Sequence, residues 1–268
     1  LLLAAPFSGL LERVASTLMA KELATLDKMP VHYRSVINQD NLDNIEVAIA
    51  SIRREIQRML LLTEEMMLPI MELFKEYDVK QMEKIVKKDL VINEALNGTR
   101  RYVSELSGVS DVKKSNDAHR KELSNLLEFA IAIEAAGDVI SKTLSKLAAN
   151  KYREGVRFSP EGLAELRSMH DKVVANISLA ANVLVSGDVG IARQLLEEKN
   201  EFTLRQRKSR KSHLKRLAKG RVEVLESSDL HLETGLAFKE FNSHIASIAY
   251  PILAREGQLL DSRLVSES

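Results

Sequence analysis

The chain has 268 residues, of which 45% are apolar and 29% charged, and its formal net charge is +1. This is the composition of a folded helical protein, and it excludes a disordered chain and a molecule that attracts polyanions over its whole surface. There are only 11 Gly and 5 Pro, with no Trp and no Cys. That excludes a turn-rich β architecture, a disulfide framework, a thiolate metal site and a Cys nucleophile.

Residues 1–38 open on the apolar run Leu1-Leu2-Leu3-Ala4-Ala5-Pro6-Phe7-Ser8-Gly9-Leu10-Leu11. No basic stretch precedes it, as one would in a secretory signal. It is also shorter than the roughly 20 residues a bilayer span needs. Read from composition, it is a short N-terminal helical segment; the competing reading is the tail of a longer apolar segment. No other part of the chain reads as a transmembrane segment.

From about Asn41 to Lys75, Ile45, Ile49, Ile52, Ile56, Met59, Thr63, Met66, Ile70 and Leu73 keep a three- and four-residue spacing. This predicts a helix with one buried stripe, bent at Pro69. Asp78 is a good cap for a second helix carrying Met82, Val86, Leu96, Val103 and Leu106. Gly108-Val109-Ser110 ends it. A third helix begins near Ser115 and carries Leu123, Leu127, Ala130, Ile133, Gly137, Ile140, Leu144 and Leu147. Asn150 to Ser159 reads as a linker. The plan then repeats. Ser159-Pro160-Glu161 is a helix start, Gly187 a stop and Asp188 the next cap. Ile191, Leu195 and Leu217 mark the fifth helix, and a sixth runs from Ser227-Ser228-Asp229 to about Leu253. The period of roughly 106 to 110 residues is too long for a solenoid. It predicts an all-α protein of two tandem three-helix bundles, at 39–150 and 151–264, with six long helices.

In each third helix a carboxylate interrupts the apolar run. Glu134 and Asp138 lie four apart, on one helix face; the second copy has Glu240 and His244. Such pairs can ligate a divalent ion: oxygen donors suit Mg, Mn, Ca or Fe, and imidazole tilts towards Zn or Fe. The alternative is a solvated helix edge, with Glu134 paired to a Lys or Arg. Asp89 and Asn93 in the first copy, and Glu198 and Glu201 in the second, are polar residues along the second helices and are candidate partners for the same ions. His32, His119, His170, His213 and His231 have no evident companions and read as surface or lightly packed. No Glu-x-x-His, Walker, Gly-x-Ser-x-Gly or His-Glu-x-x-His pattern occurs.

Residues 205–221 hold nine basic residues and no acidic one. Arg205, Arg207, Lys208, Arg210, Lys211, Lys215 and Arg216 are the candidate docking residues, for anionic lipid or an acidic partner face. Without interleaved aromatics, nucleic acid is not expected as a partner. A solvated helix end is the competing reading.

The duplicated plan, with Ile133-Glu134-Ala135-Ala136-Gly137-Asp138 in the third helix, resembles the PhoU family, although Ala135 stands where that family has Arg. Ser227-Ser228-Asp229-Leu230-His231-Leu232-Glu233 and the stretch from Phe241 to Leu253 resemble the end of bacterial sodium/phosphate cotransporter family proteins, which carry a PhoU-like domain after their membrane helices. The resemblance implies a non-catalytic regulatory domain in the cytoplasm, attached at the inner membrane to the transporter portion of the same protein. Leu1 to Leu11 would then end the last membrane helix of a truncated segment. It also implies a divalent or multinuclear metal (Fe, Zn, Mg or Mn), carried over to Glu134 and Asp138 and to Glu240. A homodimer is a further expectation. The competing functions are a free-standing PhoU-type phosphate-signalling regulator and a metal-dependent helical-bundle enzyme.

Overall fold

In the computed structural model, residues 33–37, 44–108, 117–219 and 225–259 are described. The chain divides into two compact units, Leu1–Val36 and Ile37–Ser268. Of the first, only residues 33–36 are described, and they hold no element longer than a turn. The expectation for the apolar start at Leu1 lies outside the described residues.

All secondary structure among the described residues of the second unit is helical. Helix α1 (Ile45–Met67) starts at Asn44, whose side-chain oxygen accepts from the backbone N–H groups of Glu46 and Val47. Pro69 breaks the periodic stretch rather than bending it, and a short α2 (Ile70–Lys75) follows. Helix α3 (Val79–Gly108) starts after Asp78, whose Oδ1 accepts from the Lys80 N–H at 2.8 Å. Helix α4 (Asp117–Asp138) passes into a π-helical stretch, Val139–Leu144, and continues as α5 (Ser145–Glu154). The linker is therefore shorter than its polar composition suggests. It begins at Gly155, which stops α5 with φ 67°.

Helix α6 (Pro160–Ser186) is capped by Ser159, whose Oγ accepts from the Gly162 N–H, and is closed by Gly187 at φ 61°. Helix α7 (Val189–Leu217) is capped by Asp188, whose side chain accepts from the Ile191 N–H. Helix α8 (Ser228–Ile245) turns through a 3-10 stretch, Ala246–Ile248, into α9 (Ala249–Arg255).

Helices α1, α3 and α4 pack on one another as one three-helix bundle, and α6, α7 and α8 as a second. Ile52, Ile56, Met59, Ile92, Leu96, Ile133 and Leu144 fill the first core; Leu166, Val173, Leu195, Phe202, Phe238 and Phe241 fill the second. The stripe of α3 is offset from the expected one: Ile85, Ile92, Leu96, Tyr102 and Leu106 are buried, whereas Val86 is 43% exposed. The bundles meet side by side, α1 against α6 and α4 against α8. Arg53 spans this seam. It donates to the Leu184 carbonyl at 2.7 Å and pairs with Glu122 at 2.6 Å. His170 adds a contact from its Nε2 to the Met67 carbonyl at 3.0 Å.

Candidate functional site

In the first bundle, the α3 stripe that buries Ile85 and Ile92 also buries Asp89, which is 6% exposed. Its Oδ1 has no hydrogen-bond partner. A Cβ on Gly137 of α4 would lie 3.1 Å from that oxygen, so the glycine gives Asp89 its room between the helices. Burial pushes the Asp89 carboxyl above the usual carboxylate range. The charges of Asp138 and Glu134 add to the rise, while the Ser141 hydroxyl and Lys142 oppose it. The structure thus brings Asp89, Glu134 and Asp138 within electrostatic reach of one another. Asp138 pairs with Lys142 at 2.5 Å, one turn along. Asn93 is turned to its own helix, donating to the Asp89 carbonyl at 3.2 Å. The π-helical stretch begins directly after Asp138, and the buried Ser145 hydroxyl beside it lacks a hydrogen-bond partner. Such π-bulges often sit at functional positions.

In the second bundle Glu198 and Glu201 are matched with cations. Lys172 of α6 donates to Glu198 at 2.6 Å. Glu201 pairs with Arg205 at 3.0 Å and lies 3.7 Å from the Lys172 ammonium. Hydrogen bonding from Arg205, with the nearby Lys172 charge, holds the Glu201 carboxyl below its ordinary value. Glu240 is exposed and His244 half-buried. Among the described residues, no three or more His, Asp or Glu side chains are grouped to hold one metal ion. Asp89, Asp138 and Glu134 lie within electrostatic reach of one another, and their oxygen donors are of the kind that suits Mg or Mn rather than Zn or an iron cluster.

The basic run divides into two sets. Arg205 and Arg216 turn towards α6. Arg205 donates to Ser168 at 2.7 Å, and Arg216 forks onto both oxygens of Glu165 at 2.8 and 3.0 Å. Arg207, Lys208, Arg210, Lys211 and Lys215 are exposed. No carboxylate among the described residues pairs with any of these five.

Sequence reasoning missed a polar network beneath this helix. Glu165 also accepts from the Ser209 hydroxyl at 2.7 Å and lies 3.4 Å from His231 Nε2. The rings of His231 and His213 stack with centroids 4.4 Å apart, and His213 Nε2 contacts the Ser228 hydroxyl at 3.0 Å. His170, His213 and His231 are buried, which corrects the expectation of surface histidines. Their partners come from other helices, so no local spacing announces them. Burial raises Glu165, but hydrogen bonds from His231, Arg216 and Ser209 outweigh it and hold the carboxyl at about 2. Burial, with His231 and Arg216 adding, lowers His213 to about 4. A groove of about 570 Å³ runs alongside, lined by Glu165, Ser168, Glu201, Arg205, Lys208 and Ser209. The one sequence signal for it is the polar recurrence Arg205, Lys208, Ser209, Ser212 at helical spacing on α7.

Two solved structures share the architecture. PhoU from Pseudomonas aeruginosa superposes with a TM-score of 0.71, over 80% of this chain and 100% of that one, at 14% identity. The fold is PhoU-like. The phosphate transport system regulatory protein PhoU from Streptococcus pneumoniae superposes with a TM-score of 0.65, covering 82% of this chain and 100% of that one, at 13% identity. No family model matches the sequence. Among curated proteins, the chain is 27% identical over 256 residues to the Salmonella typhimurium protein named "Putative inorganic phosphate export protein YjbB". That alignment covers 94% of the chain and 45% of the relative. The Escherichia coli K12 protein of the same name is 26% identical over 212 residues, 79% of the chain and 38% of the relative. The chain thus spans less than half the length of the curated relatives it matches. No helix among the described residues is long and apolar enough to cross a membrane.

Proposed function

We propose that this chain is the regulatory, non-catalytic part of a membrane protein that moves inorganic phosphate, and that its PhoU-like body acts in phosphate homeostasis at the cytoplasmic face of the inner membrane. The observation that carries the reading is the alignment of nearly the whole chain to a relative named "Putative inorganic phosphate export protein YjbB", which is more than twice the aligned length. The PhoU-like fold fits a regulatory rather than a chemical role. On this reading the partner is the transporter portion of the same protein, and transport is coupled to sodium. A divalent ion, seated by Asp89 and Asp138 with Glu134 beside them, belongs to the same proposal. It would neutralise the buried carboxylate and tie α3 to α4.

The test uses the whole native protein in cells depleted of other phosphate carriers, with and without residues 39–259. Phosphate flux is followed as internal phosphate and external sodium are varied. A regulatory part predicts flux that continues but no longer responds to phosphate level. Identical flux and identical phosphate response in both forms would refute the role. Loss of phosphate flux alone, with sodium dependence absent in the intact protein, would remove the sodium coupling.

A further inference from the structure

We infer that the outer face of α7 is a docking surface for an anionic lipid bilayer. The inference stands on the layout of charge and does not depend on the transport reading. Along this helix Phe202, Gln206, Ser209 and His213 are buried, which fixes the inward face. The opposite face carries Leu204, Arg207, Lys208, Lys211, Leu214, Lys215 and Ala218 at three- and four-residue steps, with Arg210 at its flank. From Leu204 to Ala218 the stripe runs roughly 20 Å at 1.5 Å per residue.

Two features give the stripe its character. First, no carboxylate among the described residues pairs with its exposed cations. Glu165 and Glu201, which line the adjoining groove, are paired with Arg216 and with Arg205 and Lys172. No acidic residue occurs between Phe202 and Lys219, although the whole chain carries only +1. The positive charge is segregated, not in general excess. Second, Leu204 is 64% exposed and Leu214 44% exposed, each among the cations. Apolar side chains flanked by Lys and Arg suit the boundary between lipid headgroups and acyl chains, where the leucines enter and the cations meet phosphates. Nucleic acid would call for stacking aromatics, and residues 203–219 contain none. The corresponding helix of the first bundle, α3, exposes Lys80, Lys84 and Lys87, but Glu83 and Glu94 are exposed with them. That helix offers a mixed face and serves as the control.

The experiment is flotation of the chain with phosphatidylcholine vesicles, with and without phosphatidylglycerol, at low salt. Three proteins are compared: wild type, a variant with Arg207, Lys208, Arg210, Lys211 and Lys215 changed to Gln, and a K84Q/K87Q control. Circular dichroism establishes that all three keep the same helix content; a charge-reversed pair, K208E/K211E, replaces the five-fold variant if it does not. Each cation near an anionic leaflet strengthens partitioning roughly five-fold, so losing five weakens it by a factor of about 3,000. Wild type and control are expected to float with the anionic vesicles and to be released by salt, as screening demands. Equal recovery with neutral and anionic vesicles would overturn the proposal and leave an acidic protein face as the occupant. So would a loss in K84Q/K87Q as large as that in the α7 variant.

Discussion

Asp89 is the residue whose environment is least comfortable. A carboxylate removed from water, with one oxygen unpartnered and two more carboxylates nearby, costs stability when ionised. Its folded-state pKa is raised, so its favourable contribution is complete below the unfolded value of 3.8 and is lost as pH rises through the folded value. Replacing it by Asn removes the charge at nearly constant volume. D89N is therefore expected to raise the metal-free stability at neutral pH by about 1 kcal/mol, the scale of an unsatisfied buried polar group, and to show no gain at acid pH. Chemical denaturation at pH 7 and pH 3 measures this. Manganese should stabilise wild type and not D89N; the same midpoint shift in both would sink the ion at this position. Glu165 behaves in the opposite sense. Its folded pKa is depressed, so its stabilisation is present above the unfolded 4.5 and is lost as pH falls towards about 2. The lowered His213 acts in the same direction over a higher window, from 6.5 down to about 4. Stability should therefore fall in two overlapping steps on acidification. E165Q should flatten the lower step, while the His213 step persists and deepens because the carboxylate that favours its charged form is gone, as followed by denaturant midpoints across that range.

At the scale of the helices, the ends are set by local chemistry that recurs along the chain. Asn44, Asp78, Ser159 and Asp188 each place a side-chain oxygen on orphan N–H groups. Gly155 and Gly187 then close helices in the left-handed conformation that other residues rarely adopt. Ser159 is the cap with most to lose: it is buried at the junction of the two bundles in the sequence, and its Oγ holds the Gly162 N–H at 3.1 Å. S159A should cost about 1 kcal/mol, read from the urea midpoint with an unchanged slope. Where local chemistry was ambiguous, the helices ended elsewhere than expected. Lys151 to Glu154 look like linker because they are polar, but the helix persists until Gly155 supplies its left-handed stop. The π-helical stretch at Val139–Leu144 has no sequence signature at all, because it answers to packing and not to propensity.

At the scale of the molecule, the two bundles are joined by the short linker from Gly155 and also by a packed seam. Arg53 and His170 cross it, and α1 and α4 pack along α6 and α8. Residues 44–259 are therefore expected to unfold in one transition, with far-ultraviolet dichroism and tyrosine fluorescence giving coincident curves. Two resolved transitions would mean that the seam contributes little.

The sequence by itself determined the helical class, the order of the six long helices, most of their caps and the run of positive charge, because each depends on residues within a few turns of one another. It also marked Asp89 as a polar candidate on the second helix and placed Glu134 and Asp138 on one face. Only the tertiary structure decided what those groups meet. It set Asp89 against Gly137, spent Glu198 and Glu201 on Lys172 and Arg205, and drew Arg205 and Arg216 inward from the basic run. It also buried His213 and His231 over Glu165. The reason is physical: a side chain's charge state and partners are fixed by helices that lie far away in the chain, and periodicity reports only which face of its own helix a residue occupies.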